Sequence, residues 1–149
     1  MPAGGGEFLE DEALAALRER LIPLASVITP NTREARQVGN QMHLPAAAAA
    51  LLAMGAQAVL ITGGDEPNEA VVNTLYQQGS EPQAYHYERL PGRFHGSGCT
   101  LSSAIAADLA GGESLESAVM NGLDYTWHCL REAHEFGQAQ KHPNRLYQT

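Results

Sequence analysis

The chain has little positive charge and little cysteine. Its 149 residues carry 9 Lys and Arg against 17 Asp and Glu, which gives a formal net charge of −8 at pH 7. A surface that binds a nucleic-acid backbone needs clustered Lys and Arg, so this balance argues against such a partner. The 2 cysteines are too few for a disulfide framework. We therefore expect a reduced, cytoplasmic protein without a nucleic-acid-binding surface.

Long apolar runs and metal-binding spacings are also missing. The longest apolar run, Ala46–Gly55, is far too short to span a bilayer, and the acidic, glycine-rich N-terminus does not resemble a signal peptide. No basic amphipathic helix favours a membrane surface. There is no Cys-x-x-Cys, and His128 and Cys129 are adjacent, so on a helix they point in different directions. Membrane attachment and a zinc site are therefore not expected.

The first half of the chain begins with an amphipathic pattern. Leu14, Leu17, Leu21 and Leu24 recur at helical spacing and predict one apolar helix face, with Pro23 ending the helix.

The apolar fraction of 44% is sufficient for a packed core. One domain is the default for this length.

Strand and helix patterns then alternate. Runs bounded by glycine, such as 58–62, are typical of a buried parallel strand. The alternation predicts an α/β fold, in which ligands bind outside the carboxyl ends of the strands. The predicted strands are 26–29, 58–62 and a hairpin of 70–76 with 83–89, and the predicted later helices are 32–38, 45–55, 101–109 and 114–136.

The segment 95–103 reads His-Gly-Ser-Gly-Cys-Thr-Leu-Ser-Ser and leads directly into an apolar helix pattern. Backbone N–H groups at a helix N-terminus carry partial positive charge and bind anions. Glycines allow a phosphate to approach this backbone without a Cβ in the way. Cys99 is expected at the same terminus, where a thiolate is favoured. The segment therefore predicts a phosphate-binding loop.

Two more motifs follow predicted strands. Asn31-Thr32-Arg33-Glu34 fits a capping box, in which Asn31 and Glu34 satisfy each other's backbone donors. A helix capped in this way can still present Glu34 to a magnesium-bound water, since Mg²⁺ uses few carboxylates and keeps several waters. Thr62-Gly63-Gly64 is most simply a turn at the end of a strand.

Three segments together resemble one family. The family is that of the hydroxymethylpyrimidine and phosphomethylpyrimidine kinases of thiamine biosynthesis, within the ribokinase-like superfamily. Residues 28–35 resemble its Asn-x-x-Glu segment, residues 59–65 its strand-end segment and residues 95–107 its anion-hole segment. The three segments occur along this chain in the same order as in the family. The resemblance implies a partial, mostly parallel sheet flanked by helices, with one antiparallel hairpin. Family members are considerably longer, so residues 1–149 are expected to be the C-terminal, nucleotide-side portion of the kinase domain.

The resemblance also implies the reaction and its residues. The expected activity is ATP-dependent phosphorylation of hydroxymethylpyrimidine and its monophosphate, with ATP and Mg²⁺ as cofactors. Because the expected sheet continues beyond residues 26–29, an unpaired edge and a homo-oligomer are expected. The implied roles are Cys99 as catalytic base; the amides of Gly96, Ser97, Gly98 and Cys99 as anion hole; Asn31, Thr62 and Gly64 at ATP; and Glu34 at Mg²⁺ through water.

Alternatives remain open. A sister kinase acting on a pyridoxal-type substrate would more often carry Asp where Cys99 stands, and many family members carry Lys where Thr62 stands. A non-catalytic nucleotide-binding or assembly module is the alternative from another functional class. Cys99 itself is either a small buried hydrophobe or a nucleophile with His95 or His86 as base.

Overall fold

The computed structural model describes residues 11–137 and 140–148, and the chain divides into two compact units, Met1–His86 and Tyr87–Thr149. Helices and strands alternate as predicted, and the α/β fold class is confirmed. The helices are α1 (Asp11–Ala16), α2 (Thr32–Gly39), α3 (Leu44–Ala53), α4 (Ser97–Ala110) and α5 (Leu115–Arg131). The strands are β1 (Ala58–Ile61), β2 (Ala70–Gln77), β3 (Gln83–Glu88), β4 (His134–Glu135) and β5 (Lys141–His142).

The strand β1 is buried along its whole length, as its continuous apolar run predicts. The sheet order is β1-β2-β3, and β1 pairs antiparallel with β2, with Leu60 opposite Leu75. The predicted hairpin is present as β2 and β3. On the other edge of β1, the predicted strand at 26–29 is reduced to parallel bridges, which pair Ile28 with Val59 and Asn31 with Thr62.

One hydrophobic core fills the first unit. It packs α2 and α3 against β1 and includes Ile22 from the segment that precedes them. Burial of apolar side chains is the main favourable term in folding, so this core fixes where the ends of β1 and α2 lie. Its buried members are Ile22, Ala35, Ala47, Ala48, Leu51, Ala56, Val59 and Ile61.

The first helix departs from the prediction. After α1 the chain makes a π-helical turn, Leu17–Leu21, and a 3₁₀ turn, Ile22–Leu24. The Ile22 N–H donates to the Leu17 carbonyl, a wider ring than the α-helical one, so the 3.6-residue periodicity is lost at this point. Leu21 and Leu24 are 63% and 81% exposed, and Ile22 is buried instead. The single helix face that the leucine spacing predicts is therefore not formed at Leu21 and Leu24.

The second unit pairs α4 with α5. The helix α4 begins at Ser97 and not at 101, because Gly96 takes the left-handed conformation, with φ of +90°, and starts the helix directly behind it. The helix α5 ends at Arg131 and not at 136, since β4 follows and pairs with β5. Within the described residues, no helix is both long and apolar enough to cross a membrane.

The first turn of α2 is closed by the side chain of Asp65, which follows β1. One carboxylate oxygen of Asp65 accepts from the Thr32 N–H at 3.2 Å, and the other accepts from the Arg33 N–H at 3.1 Å and the Thr32 hydroxyl at 2.8 Å. These amides would otherwise lack partners, because the first N–H groups of a helix have none within it. At the other end of α2, Arg18 donates to the carbonyls of Gln37 and Val38, both at 2.9 Å.

Gly63 is required by close packing against β2. A Cβ built on Gly63 would lie 2.2 Å from the carbonyl oxygen of Val72, whereas one built on Gly64 meets nothing within 4 Å. We expect Gly63→Ala to lower the free energy of unfolding by about 3 kcal/mol, since a backbone atom must move to admit the methyl group. The control Gly64→Ala should stay within about 0.5 kcal/mol. Urea unfolding of both variants tests this, and equal stabilities would contradict it.

The Asp65 contacts predict a second stability effect. Asp65→Ala removes the acceptor for two α2 amides, so we expect a loss of about 1–2 kcal/mol in the free energy of unfolding. Glu69→Ala deletes the same charge from an exposed position on the same connection and serves as the control. Thermal and urea unfolding measure the difference. If the two variants lose the same free energy of unfolding, the loss comes from the change in net charge and not from the lost cap.

Candidate functional site

The predicted site residues of the first unit lie at the start of α2 and the end of β1. The Glu34 N–H donates to Asn31 Oδ1 at 2.8 Å, and the Asn31 N–H donates to Glu34 Oε2 at 2.9 Å. The predicted capping box is therefore confirmed. The parallel bridge between Asn31 and Thr62, with the Thr62 N–H donating to the Pro30 carbonyl at 2.9 Å, brings Asn31, Glu34 and Thr62 together.

The capping box leaves part of the Glu34 carboxylate available. Only Oε2 accepts the Asn31 N–H, and within the described residues no donor reaches Oε1. Glu34 is partly buried and keeps some exposure to solvent. Mg²⁺ dehydrates reluctantly and binds through one or two carboxylates and its own waters. The geometry of Glu34 therefore fits a contact with a hydrated Mg²⁺ ion.

The environment of α2 holds two further charged groups. Arg36 pairs with Glu66 at 2.9 Å and also donates to the Thr32 hydroxyl at 3.3 Å. Hydrogen bonding to Thr32, with the Arg36 guanidinium next in importance, holds the pKa of Glu66 below its ordinary value. Glu66 is therefore an anion at neutral pH and is engaged with α2.

Gly64 and its neighbours differ in what they contribute. Gly64 is exposed and faces open space, so the structure places no steric demand on this position. Gly63 packs closely against β2 and Asp65 caps α2, and the sequence analysis gave Asp65 no role. The dipeptide Gly63-Gly64 signalled a turn without distinguishing the two glycines. Asp65 caps a helix that begins 33 positions earlier, which no local pattern reveals.

The predicted anion-hole residues of the second unit form the start of α4. Gly96 is the N-cap, and Ser97, Gly98 and Cys99 make the first turn. The first intrahelical bond runs from the Thr100 N–H to the Gly96 carbonyl at 3.0 Å, and no side chain caps the helix. Within the described part of the chain, the three first-turn amides thus have no acceptor. They can bind an anion, in contrast with the closed start of α2.

The two cysteines occupy opposite environments. Cys99 is exposed, so its interpretation as a small buried hydrophobe is wrong, and no histidine in the described ranges hydrogen-bonds to it. Cys129 on α5 is buried, and burial raises the pKa of its thiol above the ordinary value. Only Cys99 is accessible to a substrate.

A groove of about 610 Å³ runs between α4 and α5 in the second unit. Arg145, from the segment after β5, lies at this groove and donates from Nε to the Thr100 hydroxyl at 3.0 Å. That hydroxyl donates to the Gly96 carbonyl at 2.8 Å. Nothing in the sequence pattern pointed to Arg145 as a residue of this groove. The groove is lined by Cys99, Thr100, Ser103, Ala104, Ala107, Asp108, Asn121, Gly122, Tyr125 and Arg145.

The chain is similar in sequence to known kinases. The family model described as phosphomethylpyrimidine kinase matches residues 1–144. The hydroxymethylpyrimidine/phosphomethylpyrimidine kinase of Streptomyces coelicolor is 42% identical over 127 residues, covering 81% of this chain and 46% of that protein. The pyridoxine kinase of Bacillus subtilis is 36% identical over 143 residues, covering 91% of this chain and 52% of that protein.

The fold comparison agrees. An ADP complex of Bacillus subtilis pyridoxal kinase superimposes with a TM-score of 0.85 and 33% identity, covering 93% of this chain and 56% of that one. The chain thus spans about half the length of the relatives that it matches. With the family model covering nearly all of its sequence, the chain belongs to the phosphomethylpyrimidine kinase family.

Proposed function

We propose that this chain is the nucleotide-side part of a kinase that transfers a phosphoryl group from ATP to hydroxymethylpyrimidine and to its monophosphate. The observation that carries the proposal is the uncapped start of α4, where the amides of Ser97, Gly98 and Cys99 have no acceptor among the described residues. Phosphoryl transfer depends mostly on positioning and charge stabilisation, which such amides supply. The family match supports the substrate class.

Each unit is assigned its own part of the chemistry. In the second unit, the amides of Gly96–Cys99 stabilise negative charge on the transferred phosphoryl group. In the first unit, Asn31, Thr62 and Gly64 contact ATP, and Glu34 holds a water of Mg²⁺. The free Oε1 of Glu34 supports that last role. The bound Mg²⁺ would neutralise phosphate charge.

Cys99 is proposed to act at the substrate hydroxyl. Its exposure and its place in the first turn of α4 put it beside the proposed phosphate site. There its thiolate takes the proton of the hydroxymethyl oxygen as that oxygen bonds to the γ-phosphorus of ATP and the bond from that phosphorus to ADP breaks. A modest base is enough for this step, since most of the rate comes from positioning.

A pyridoxal-type substrate is the second candidate. It is favoured by the similarity to the Bacillus subtilis pyridoxine kinase, which is 36% identical over 143 residues. A chimera that joins the unmatched half of the Streptomyces coelicolor kinase to this chain allows a direct comparison. ADP release with hydroxymethylpyrimidine, its monophosphate and pyridoxal should be greatest with the pyrimidines. Greater kcat/KM for pyridoxal would assign the second candidate, and no turnover with any of them would favour a non-catalytic module.

Substitution of Cys99 in the active chimera tests its role as a base. Cys99→Ala should lower kcat by up to about 10²–10⁴-fold, while ATP affinity changes little. Cys99→Asp should keep measurable activity, because Asp occupies this position elsewhere in the superfamily. Cys129→Ala is the matched control for loss of a thiol away from the proposed site. A trapped phosphoryl-cysteine at Cys99 would show a nucleophile and not a base.

The isolated chain is proposed to self-associate and not to turn over the pyrimidine. Leu21, Leu24 and Met42 are 63%, 81% and 78% exposed in the first unit, and exposed apolar surface is typical of interfaces. Residues 26–29 add an incompletely paired edge next to β1, which invites pairing with another chain. Light scattering should give a mass above that of the monomer, and a coupled ADP assay should show no pyrimidine-dependent release. A monomer that turns over the pyrimidine would contradict this proposal.

A further inference from the structure

The segment after α5 returns to the loop that leads into α4, and its backbone fixes its position there. The Lys141 N–H donates to the Arg93 carbonyl at 2.7 Å, and the His95 N–H donates to the Lys141 carbonyl at 3.0 Å. Further along, the Asn144 N–H donates to the Cys129 carbonyl at 2.9 Å. Residues 140–147, which we call the C-terminal strap, are therefore held by main-chain bonds on both sides of Pro143.

The strap places the Arg145 guanidinium at the start of α4. Its Nε donates to the Thr100 hydroxyl at 3.0 Å, and its Nη2 lies 3.2 Å from the position that a Cβ on Gly96 would take. The Tyr125 hydroxyl donates to the Arg145 carbonyl at 2.8 Å and holds the residue from the α5 side. The direction of the side chain is thus set by bonds at its backbone and at Nε.

Most of the Arg145 donors remain available. A guanidinium has five N–H groups, and within the described residues only the one on Nε has an acceptor. Two other cations of this unit pair with carboxylates: Lys141 with Glu135 at 3.2 Å, and Arg131 with Glu132 at 3.1 Å. No carboxylate in the described part of the chain pairs with Arg145, although the chain carries 17 acidic residues.

The exposed Arg145 side chain adds a cation at a helix end that already carries partial positive charge. A helix N-terminus carries partial positive charge, so a cation is repelled there and an anion is attracted. Arg145 and the first-turn amides of α4 therefore present positive charge from two directions to the same space, at one end of the groove. A bound phosphate would be attracted both by the first-turn amides of α4 and by the Arg145 guanidinium. A guanidinium can also hold two phosphate oxygens at once.

We propose that Arg145 is a further phosphate-binding residue, which contacts the nucleotide phosphates bound at the start of α4. The inference rests on the proposed function, since it takes the ligand there to be a nucleotide. It assigns to the C-terminal strap a role in binding, with Thr100 as the residue that positions the guanidinium through its hydroxyl.

Calorimetric titration of the purified chain tests this inference without any turnover. ADP and inorganic pyrophosphate are the probes that carry phosphates, and adenosine is the probe without them. Arg145→Gln should weaken ADP and pyrophosphate binding by roughly 10–100-fold, because it removes charge-assisted hydrogen bonds to phosphate oxygens. Adenosine binding should be unchanged. Arg145→Lys should fall between, because it keeps the charge and loses the two-pronged geometry. Arg131→Gln removes the same charge from α5 and should bind all three probes as the unmodified chain does.

Each other outcome overturns the inference. Unchanged ADP binding by Arg145→Gln, an equal loss in Arg131→Gln, or a matching loss of adenosine binding would show a general charge or structural effect. An unmodified chain that binds neither ADP nor pyrophosphate would also refute it. Failure of the pyrimidine to promote ADP release refutes only the proposed function, because the phosphate titrations do not depend on that substrate.

Discussion

The first amides of a helix need hydrogen-bond acceptors, and α2 and α4 differ in whether the chain supplies them. The candidate phosphate site depends on this difference. The first amides of any helix lack partners within it. In α2, Asp65 and Asn31 accept from the amides of Thr32, Arg33 and Glu34, so the helix start is closed. In α4 the N-cap is Gly96, which has no side chain to offer, and no group in the described ranges accepts from the first-turn amides, which leaves them available to an external acceptor.

Sequence reasoning succeeded where the determining interaction is local. The Asn31–Glu34 capping box spans three positions, and β1 reveals itself by an unbroken apolar run. It failed where two helix geometries compete, because a π-turn at Leu17–Leu21 shifts the apolar face by a fraction of a turn without any change in composition. The start of α4 was misplaced for a related reason: Gly96 admits both a loop and a left-handed cap.

Long-range contacts explain the remaining differences. Asp65 reaches a helix 33 positions away, and Arg145 reaches a threonine 45 positions away. Neither partner is implied by the residues next to it in sequence. The C-terminal strap is held largely by backbone donors and acceptors, which every residue except proline has in full, so its side-chain sequence does not reveal these contacts. Fold class follows from periodicity, whereas the charged residues of a site follow from tertiary structure.

The net charge of −8 and a proposed phosphate ligand are compatible because binding depends on the local field. A nucleic acid presents charge over a long surface and needs many cations, which this chain lacks. A nucleotide presents a few phosphate oxygens at one point. Open amides at the start of α4 and the guanidinium of Arg145, which has no carboxylate partner among the described residues, supply positive potential over that small volume. Three of the acidic residues, Glu66, Glu132 and Glu135, pair with Arg36, Arg131 and Lys141 instead. Composition therefore argues against the extended ligand and is compatible with the compact one.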